Sequence, residues 1–203
     1  MQNEKKLTEL EMQRKGRKVF MLMVVFFVVP IIVVILMYKF NWKPSGNSLG
    51  ELVNPPHLMS GSKDLTDNHN VPVTDQFWKT KWSIVYIADE CEQTCLNQLR
   101  NLRQLHVSLY KDTQRAQRVL ITNTQDIAKI QQDYPDLIII NAPQASVLNL
   151  TKEFQINTEN PMESNRIYLV DSLGYLMMSY PQTTPLADVR KDVSRLLRYS
   201  WAG

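Results

Sequence analysis

Outside its first eighteen residues this chain has no surplus of charge of either sign. The whole sequence holds 23 Lys and Arg against 20 Asp and Glu. Residues 1–18 take six of the cations and three of the anions (Glu4, Glu9 and Glu11), so the remainder balances at 17 against 17. A nucleic-acid-binding domain carries a basic excess on its folded part, which excludes nucleic acid as a partner. No internal repeat runs along the chain, so a repeat array is excluded too. Cysteine and histidine are scarce: two cysteines, Cys91 and Cys95, and three histidines, His57, His69 and His106.

Charge is missing altogether from Val19 to Met37, nineteen residues that are almost all Val, Ile, Leu, Met or Phe. As a helix they reach roughly 28 Å, close to the hydrocarbon thickness of a bilayer. Pro30 falls mid-span, where it is tolerated. A signal peptide has a shorter apolar core and a small-residue cleavage site. Here the run continues into Tyr38-Lys-Phe-Asn-Trp-Lys43, which offers none. A helix of a soluble protein keeps a polar face over this length. The reading is a basic tail over residues 1–18 and one transmembrane helix over 19–38, with the lipid bilayer as first partner.

Orientation follows from the flanks. Arg14, Lys15, Arg17 and Lys18 crowd one side, and only Lys39 and Lys43 stand near the other. The positive-inside rule keeps the N-terminus in the cytoplasm and exports the rest. Tyr38 and Trp42 suit the outer interface.

Residues 39–75 are rich in Pro, Gly, Asn and Ser and read as a stalk with room for a short β-hairpin. Regular signals fill residues 76–203. Trp82-Ser-Ile-Val-Tyr-Ile-Ala88 is a run of strand formers, as in a strand covered on both faces. Leu96, Leu99, Leu102 and Leu109 recur at helical spacing. Gln117–Thr122 is a second strand, Asn123 or Thr124 caps a short helix ending before Pro135, and Asp136–Asn141 is a third strand. A helix with Val147, Leu150 and Phe154 on one face follows. Arg166–Val170, a turn at Asp171–Gly174 and Tyr175–Tyr180 form a hairpin. Thr184 and Pro185 are the cap and first-turn proline of a last helix with Leu186, Val189, Val193, Leu196 and Leu197 in its stripe. Strands alternating with helices and closed by an antiparallel hairpin make an α/β domain with a mixed β-sheet flanked by helices.

Both cysteines sit where the first strand runs into its helix, in Cys91-Glu-Gln-Thr-Cys95. A helix N-terminus offers free N–H groups and partial positive charge, which favour a thiolate. One turn of spacing presents both sulfurs to one side. The pair suits a disulfide or a soft ion such as Cu(I). As a purely stabilising disulfide it closes a tiny loop, with little entropic gain. Asp89, Glu90 and Glu92 oppose negative charge on Cys91 and favour an approaching cation.

This order of strand, C-x-x-x-C, Leu-rich helix, βα and terminal hairpin resembles the thioredoxin-like fold. Behind a membrane anchor it is similar to the Sco/SenC-type proteins of cytochrome c oxidase assembly. The resemblance covers about residues 76–203 and is carried by Trp82–Ile87, Cys91, Cys95 and Tyr168-Leu-Val-Asp-Ser-Leu-Gly174. It implies a bacterial inner-membrane protein with its domain in the periplasm, and a cytochrome c oxidase subunit or another assembly factor as partner. It also implies copper, as Cu(I), or the thiol state of the copper-site subunit, as what Cys91 and Cys95 handle.

Two departures qualify the likeness. Where that family has a copper-ligand histidine this sequence has Glu163, next to Met162, a thioether able to serve as third ligand. Redox-active thioredoxin-like domains place a cis-proline before the penultimate strand, and Pro161 comes about two residues early. His57, His69 and His106 read as bystanders. The open alternatives are a general periplasmic thiol-disulfide oxidoreductase, with Cys91 and Cys95 catalytic, and a non-catalytic assembly scaffold with a structural disulfide.

Overall fold

A computed structural model describes residues 2–40, 48–142 and 144–200. It divides into two compact units, residues 1–47 and 48–203. In the first, α1 (Gln2–Lys39) is one continuous helix containing Pro30. Residues 2–18 thus extend the same helix as the apolar run. From Arg14 to Lys39 it is long and apolar enough to cross a membrane. Trp42 and Lys43, expected at the outer interface, lie outside the described residues.

The second unit is built on a six-stranded sheet. Its strands are β1 (Glu51–Leu58), β4 (Trp82–Ala88), β5 (Ala116–Thr122), β6 (Ile138–Asn141), β7 (Ile167–Val170) and β8 (Tyr175–Tyr180). They run in the order β1-β8-β7-β4-β5-β6. β4, β5 and β6 are parallel neighbours, while β7 pairs antiparallel with β4, and β8 with β7. This is the mixed, helix-flanked sheet that the residue pattern predicts.

Alternation along β4 sorts the core into two clusters. Trp82, Ile84, Tyr86 and Ala88 face one side, Val85 and Ile87 the other. The first side is covered by α2 (Gln93–Val107) through Cys95, Leu99, Leu102 and Leu105, and by α5 (Leu186–Tyr199) through Val189, Val193 and Leu197. The second is covered by a small hairpin of β2 (Gly61–Thr66) and β3 (Pro72–Thr74), by Trp78, and by α4 (Gln144–Lys152) with Phe154 behind it. All seven residues of β4 are buried, which is why it reads as an unbroken apolar run.

Several local expectations differ from what is found. Residues 51–58, read as stalk, pair with β8 at the sheet edge, Glu51 opposite Ser179. The β2–β3 hairpin carries Leu65 and Val73, both fully buried, into the second cluster. Neither Asn123 nor Thr124 caps the short α3 (Ala128–Asp133), whose cap position is Ile127. Pro185, not Thr184, holds the cap position of α5, with ψ 135° and its carbonyl accepting from the Asp188 and Val189 amides. A residue with non-helical ψ cannot be the first helical one. Gly174 has φ +91°, a region that a side chain disfavours, and its amide closes the turn on the Asp171 carbonyl. The Asp171 carboxylate also accepts from the Leu173 and Tyr175 amides.

Candidate functional site

Cys91 lies just before α2 and Cys95 in its first turn, and a disulfide joins them with Cα atoms 5.0 Å apart. That separation is usual for a disulfide. The two sulfurs are not equivalent. Cys95 is 2% exposed and belongs to the first core cluster, whereas Cys91 is half-buried and packs against its edge. The expectation that both present to one surface holds for Cys91 alone. The reason is the helix itself: the apolar stripe of Leu99, Leu102 and Leu105 turns Cys95 toward the sheet.

Glu92 occupies the cap position of α2 and makes no side-chain cap hydrogen bond. Only the Leu96 amide is drawn back, to the Glu92 carbonyl. Cys91 is held from the side instead. Its amide donates to the Thr124 hydroxyl at 2.6 Å. Thr122 at the end of β5 bonds the same hydroxyl at 3.1 Å and donates to the Asp89 carbonyl at 3.0 Å. Asn123 closes the set, its side-chain amide donating to the Asp89 carboxylate at 2.6 Å and its backbone amide to the Asp89 carbonyl at 3.0 Å. The Asn141 side-chain amide donates to the Thr124 carbonyl. The end of β5 therefore fixes the loop that carries the reachable sulfur. Thr124, like Asn123, reads in the sequence as a cap for the short helix that follows. Its spacing after an apolar strand gives no local sign of a partner so distant in the chain.

The disulfide opens onto a cleft of about 840 Å³ lined by Asp89, Glu90, Cys91, Glu92 and, opposite, Asn123, Thr124 and Asn141. Asp89, Glu90 and Glu92 are exposed. Three carboxylates beside a sulfur oppose negative charge on it and attract cations.

The remaining sequence candidates are not brought to this cleft. Met162, the possible third ligand, is 7% exposed and packs in the second cluster, whereas Cys95 belongs to the first. The residues around it are apolar, and burial there is what a thioether gains most from. Glu163 is exposed and accepts from the Asn160 side chain at 2.9 Å. Pro161 is not the expected cis-proline. Among the described residues the one cis peptide is Asn54–Pro55, and it is Asn165, with φ +51°, that precedes Arg166 and β7. Tyr86 reaches Asn165, donating to its side-chain oxygen at 2.8 Å, and burial pushes the Tyr86 hydroxyl up to about 12.

The histidines are structural or peripheral. His106 Nε2 lies 3.1 and 3.0 Å from the Thr113 and Ala116 carbonyls, so that nitrogen carries the proton. His69 sits 3.8 Å from the Asp67 carboxylate, and His57 is on β1. Among the described residues no three His, Cys, Asp or Glu side chains converge as a metal-binding group. Two cysteines can hold Cu(I) in linear fashion only once reduced.

Residues 82–200 match the family described as transmembrane-like, thioredoxin-like, C-terminal domain. Comparison with curated proteins finds no match. Among solved structures the domain is similar to Arabidopsis thaliana ScoI with copper bound, at 16% identity and a TM-score of 0.58, covering 70% of this chain and 99% of that one. Yeast Sco1 with copper bound gives 18% identity and a TM-score of 0.56, over 78% of this chain and 96% of the other. BsSco, a member of the Sco family of cytochrome c oxidase assembly proteins solved in connection with a disulfide switch, gives 14% and 0.55, over 72% and 96%. At these identities the likeness is one of fold.

Proposed function

Because the chain belongs to the transmembrane-like, thioredoxin-like C-terminal domain family, we propose that it works by thiol–disulfide exchange through Cys91 and Cys95. Its target is the thiol pair of the copper-site subunit of cytochrome c oxidase. One observation carries this reading: a disulfide with one reachable and one buried sulfur. That asymmetry matches a two-step exchange. The Cys91 thiolate of the reduced chain attacks a target disulfide and forms a mixed disulfide, releasing one target thiolate. The Cys95 thiolate then attacks the Cys91 sulfur, releasing the second. Two electrons pass to the target, and the chain is left with the Cys91–Cys95 disulfide. A membrane or periplasmic dithiol donor returns it to the reduced form.

The carboxylates near Cys91 make it a poor nucleophile toward acidic targets and a better one toward basic or metal-bearing targets. Cu(I) is the second reading, as cargo rather than resident cofactor. It is favoured by the same carboxylates and by the copper-bound state of the solved structures with this fold. The domain would work in the periplasm, tethered to the inner membrane by α1 with its N-terminus in the cytoplasm.

The test uses the full-length reduced chain and an oxidised dithiol peptide. Cys95→Ser should accumulate a mixed disulfide through Cys91, and Cys91→Ser should form none. If Cys95→Ser traps nothing while wild type still exchanges, the assignment of Cys91 as attacking sulfur is wrong. Anaerobic Cu(I) titration decides the second reading: one equivalent bound by wild type, lost in either Ser variant, supports copper handling. For the topology, a reporter active only outside the cytoplasm should be active when fused after residue 203, and a stable but silent fusion rules the orientation out.

A further inference from the structure

Away from the disulfide cleft, cations and aromatics on α5 and the turn before β5 outnumber the acids around them. Along α5, Arg190, Lys191 and Arg198 are exposed and recur at helical spacing on one face. Lys111, exposed in the 3-10 turn Tyr110–Arg115, joins Arg190 and Arg198 around a shared groove. Two large side chains stand out beside them, Tyr110 at 80% exposure and Tyr199 at 72%. Of the acids nearby, Asp112 lines the groove paired with Arg115 at 3.3 Å, Asp188 stands half-buried in the first turn of α5, and Asp192 is 3% exposed. Tyrosine tips among Lys and Arg are the composition of a membrane–water interface, and a basic surface of this kind is drawn to anionic lipid.

A second observation ties this helix to the membrane side of the chain. Asp192, on the inner face of α5, accepts from the Leu49 amide at 2.8 Å and the Gly50 amide at 3.2 Å, with the Ser48 hydroxyl at 3.5 Å. The first residues of the domain are thus fastened to α5. Only residues 41–47 separate them from the helix that ends at Lys39 and Phe40, and seven residues with their flanking bonds reach at most about 29 Å. The tether between the apolar helix and the residues fastened to α5 is therefore short.

We propose that the outer face of α5, with Arg190, Lys191, Arg198, Lys111, Tyr110 and Tyr199, docks on the anionic headgroups of the membrane holding the anchor. Docking fixes how the domain is turned over the bilayer, and it uses none of the residues of the disulfide cleft.

The experiment places the full-length chain in lipid nanodiscs of phosphatidylcholine alone or mixed with phosphatidylglycerol. Each lysine's rate of acetylation by a succinimidyl ester is read by mass spectrometry. Lys111 and Lys191 should react at least about tenfold more slowly in the anionic discs. Lys129 and Lys152, exposed on other elements, should react equally in both and serve as internal references. In the double variant R190E/R198E the two slow lysines should recover their neutral-lipid rates. Equal rates for Lys191 in the two lipids overturn the proposal. So does slowing that follows the number of protein copies per disc and not the lipid charge, which assigns the face to a second copy. Neither outcome bears on the exchange chemistry of Cys91 and Cys95.

Discussion

The two faces of the sheet are made from the same strands and do different work. On one, α2 and α5 close over Ile84, Tyr86 and Leu120, and the layer ends at a polar cleft where Cys91 comes to the surface. On the other, Trp78, Phe154 and Tyr168 stack edge to face, with ring centroids 5.8 and 5.3 Å apart, over Val85, Ile87 and Met162. The first face opens beside a cysteine; the second, sealed over its aromatic rings, has a cleft only at its edge, beside Val53, Ile156 and Leu176. Sulfur-bearing side chains pack on both, Cys95 and Met178 on the first and Met59 and Met162 on the second, yet it is Cys91 that lines the cleft. Which face a residue takes thus decides its chemistry before its type does.

Substitutions on the two faces separate packing from chemistry. The largest effect belongs to the sealed face: Trp78→Ala should cost about 3–5 kcal/mol in chemical denaturation of the full chain, because Trp78 is fully buried among aromatic rings. If its loss is below about 1 kcal/mol, that face is not a packed layer. On the open face, Thr124→Val leaves the Cys91 amide without its acceptor. A loss of roughly 1–3 kcal/mol is expected, with a shift in the reduction potential of the Cys91–Cys95 pair measured against glutathione. An unchanged potential would mean the Thr124 contact does not constrain the sulfur.

Met162→Leu keeps volume and should cost under about 1.5 kcal/mol, with Cu(I) affinity and exchange rate unaltered. A clear fall in copper affinity would put Met162 back at the site and break the distinction between the faces.

The smallest effect is ionic. Arg166, 7% exposed at the rim of the sealed face, donates to Glu159 at 2.6 and 3.0 Å and to Glu51 at 2.7 Å. Its hydrogen bonds hold the Glu159 carboxyl below the ordinary 4.5. A carboxylate depressed on folding contributes stability above its unfolded pKa and loses it as pH falls through the folded value. The denaturation midpoint of wild type should therefore exceed that of Arg166→Gln most clearly above about pH 4.5, the gap narrowing on further acidification. A gap that widens toward acid would mean the pairing is not what Arg166 contributes. Glu159 is exposed, so the effect is modest.

What could be read from the sequence divides along the same physical line. The long apolar helix, the buried strand Trp82–Ala88 and Leu99 and Leu102 of α2 are local periodicities, and they stand in the structure as the residues suggest, while Leu96 is half-buried and Leu109 lies beyond the end of α2. The cysteine pair was legible because strand, turn and helix are contiguous there. Residues 51–58 were not legible as a strand, since their partner Ser179 lies at the far end of the domain and Pro55 and Pro56 argue against a ladder. Thr124 was misread for a related reason: a threonine after a strand serves equally as a cap or as a distant acceptor, and only the fold chooses. For Met162 the residue type carries the softness of a thioether, but the side of the sheet it takes is set by the fold.

The hold of Asp192 on Ser48, Leu49 and Gly50 decides where this molecule can be cut. A soluble fragment begun at Ser48 keeps all three donors. One begun at Leu52, just inside the first strand, strips them away and leaves a buried carboxylate with the Tyr180 hydroxyl but without its backbone donors. Laboratory truncation should therefore respect a boundary three residues ahead of the sheet. The longer fragment should melt higher than the shorter one although both contain nearly every strand and helix of the domain.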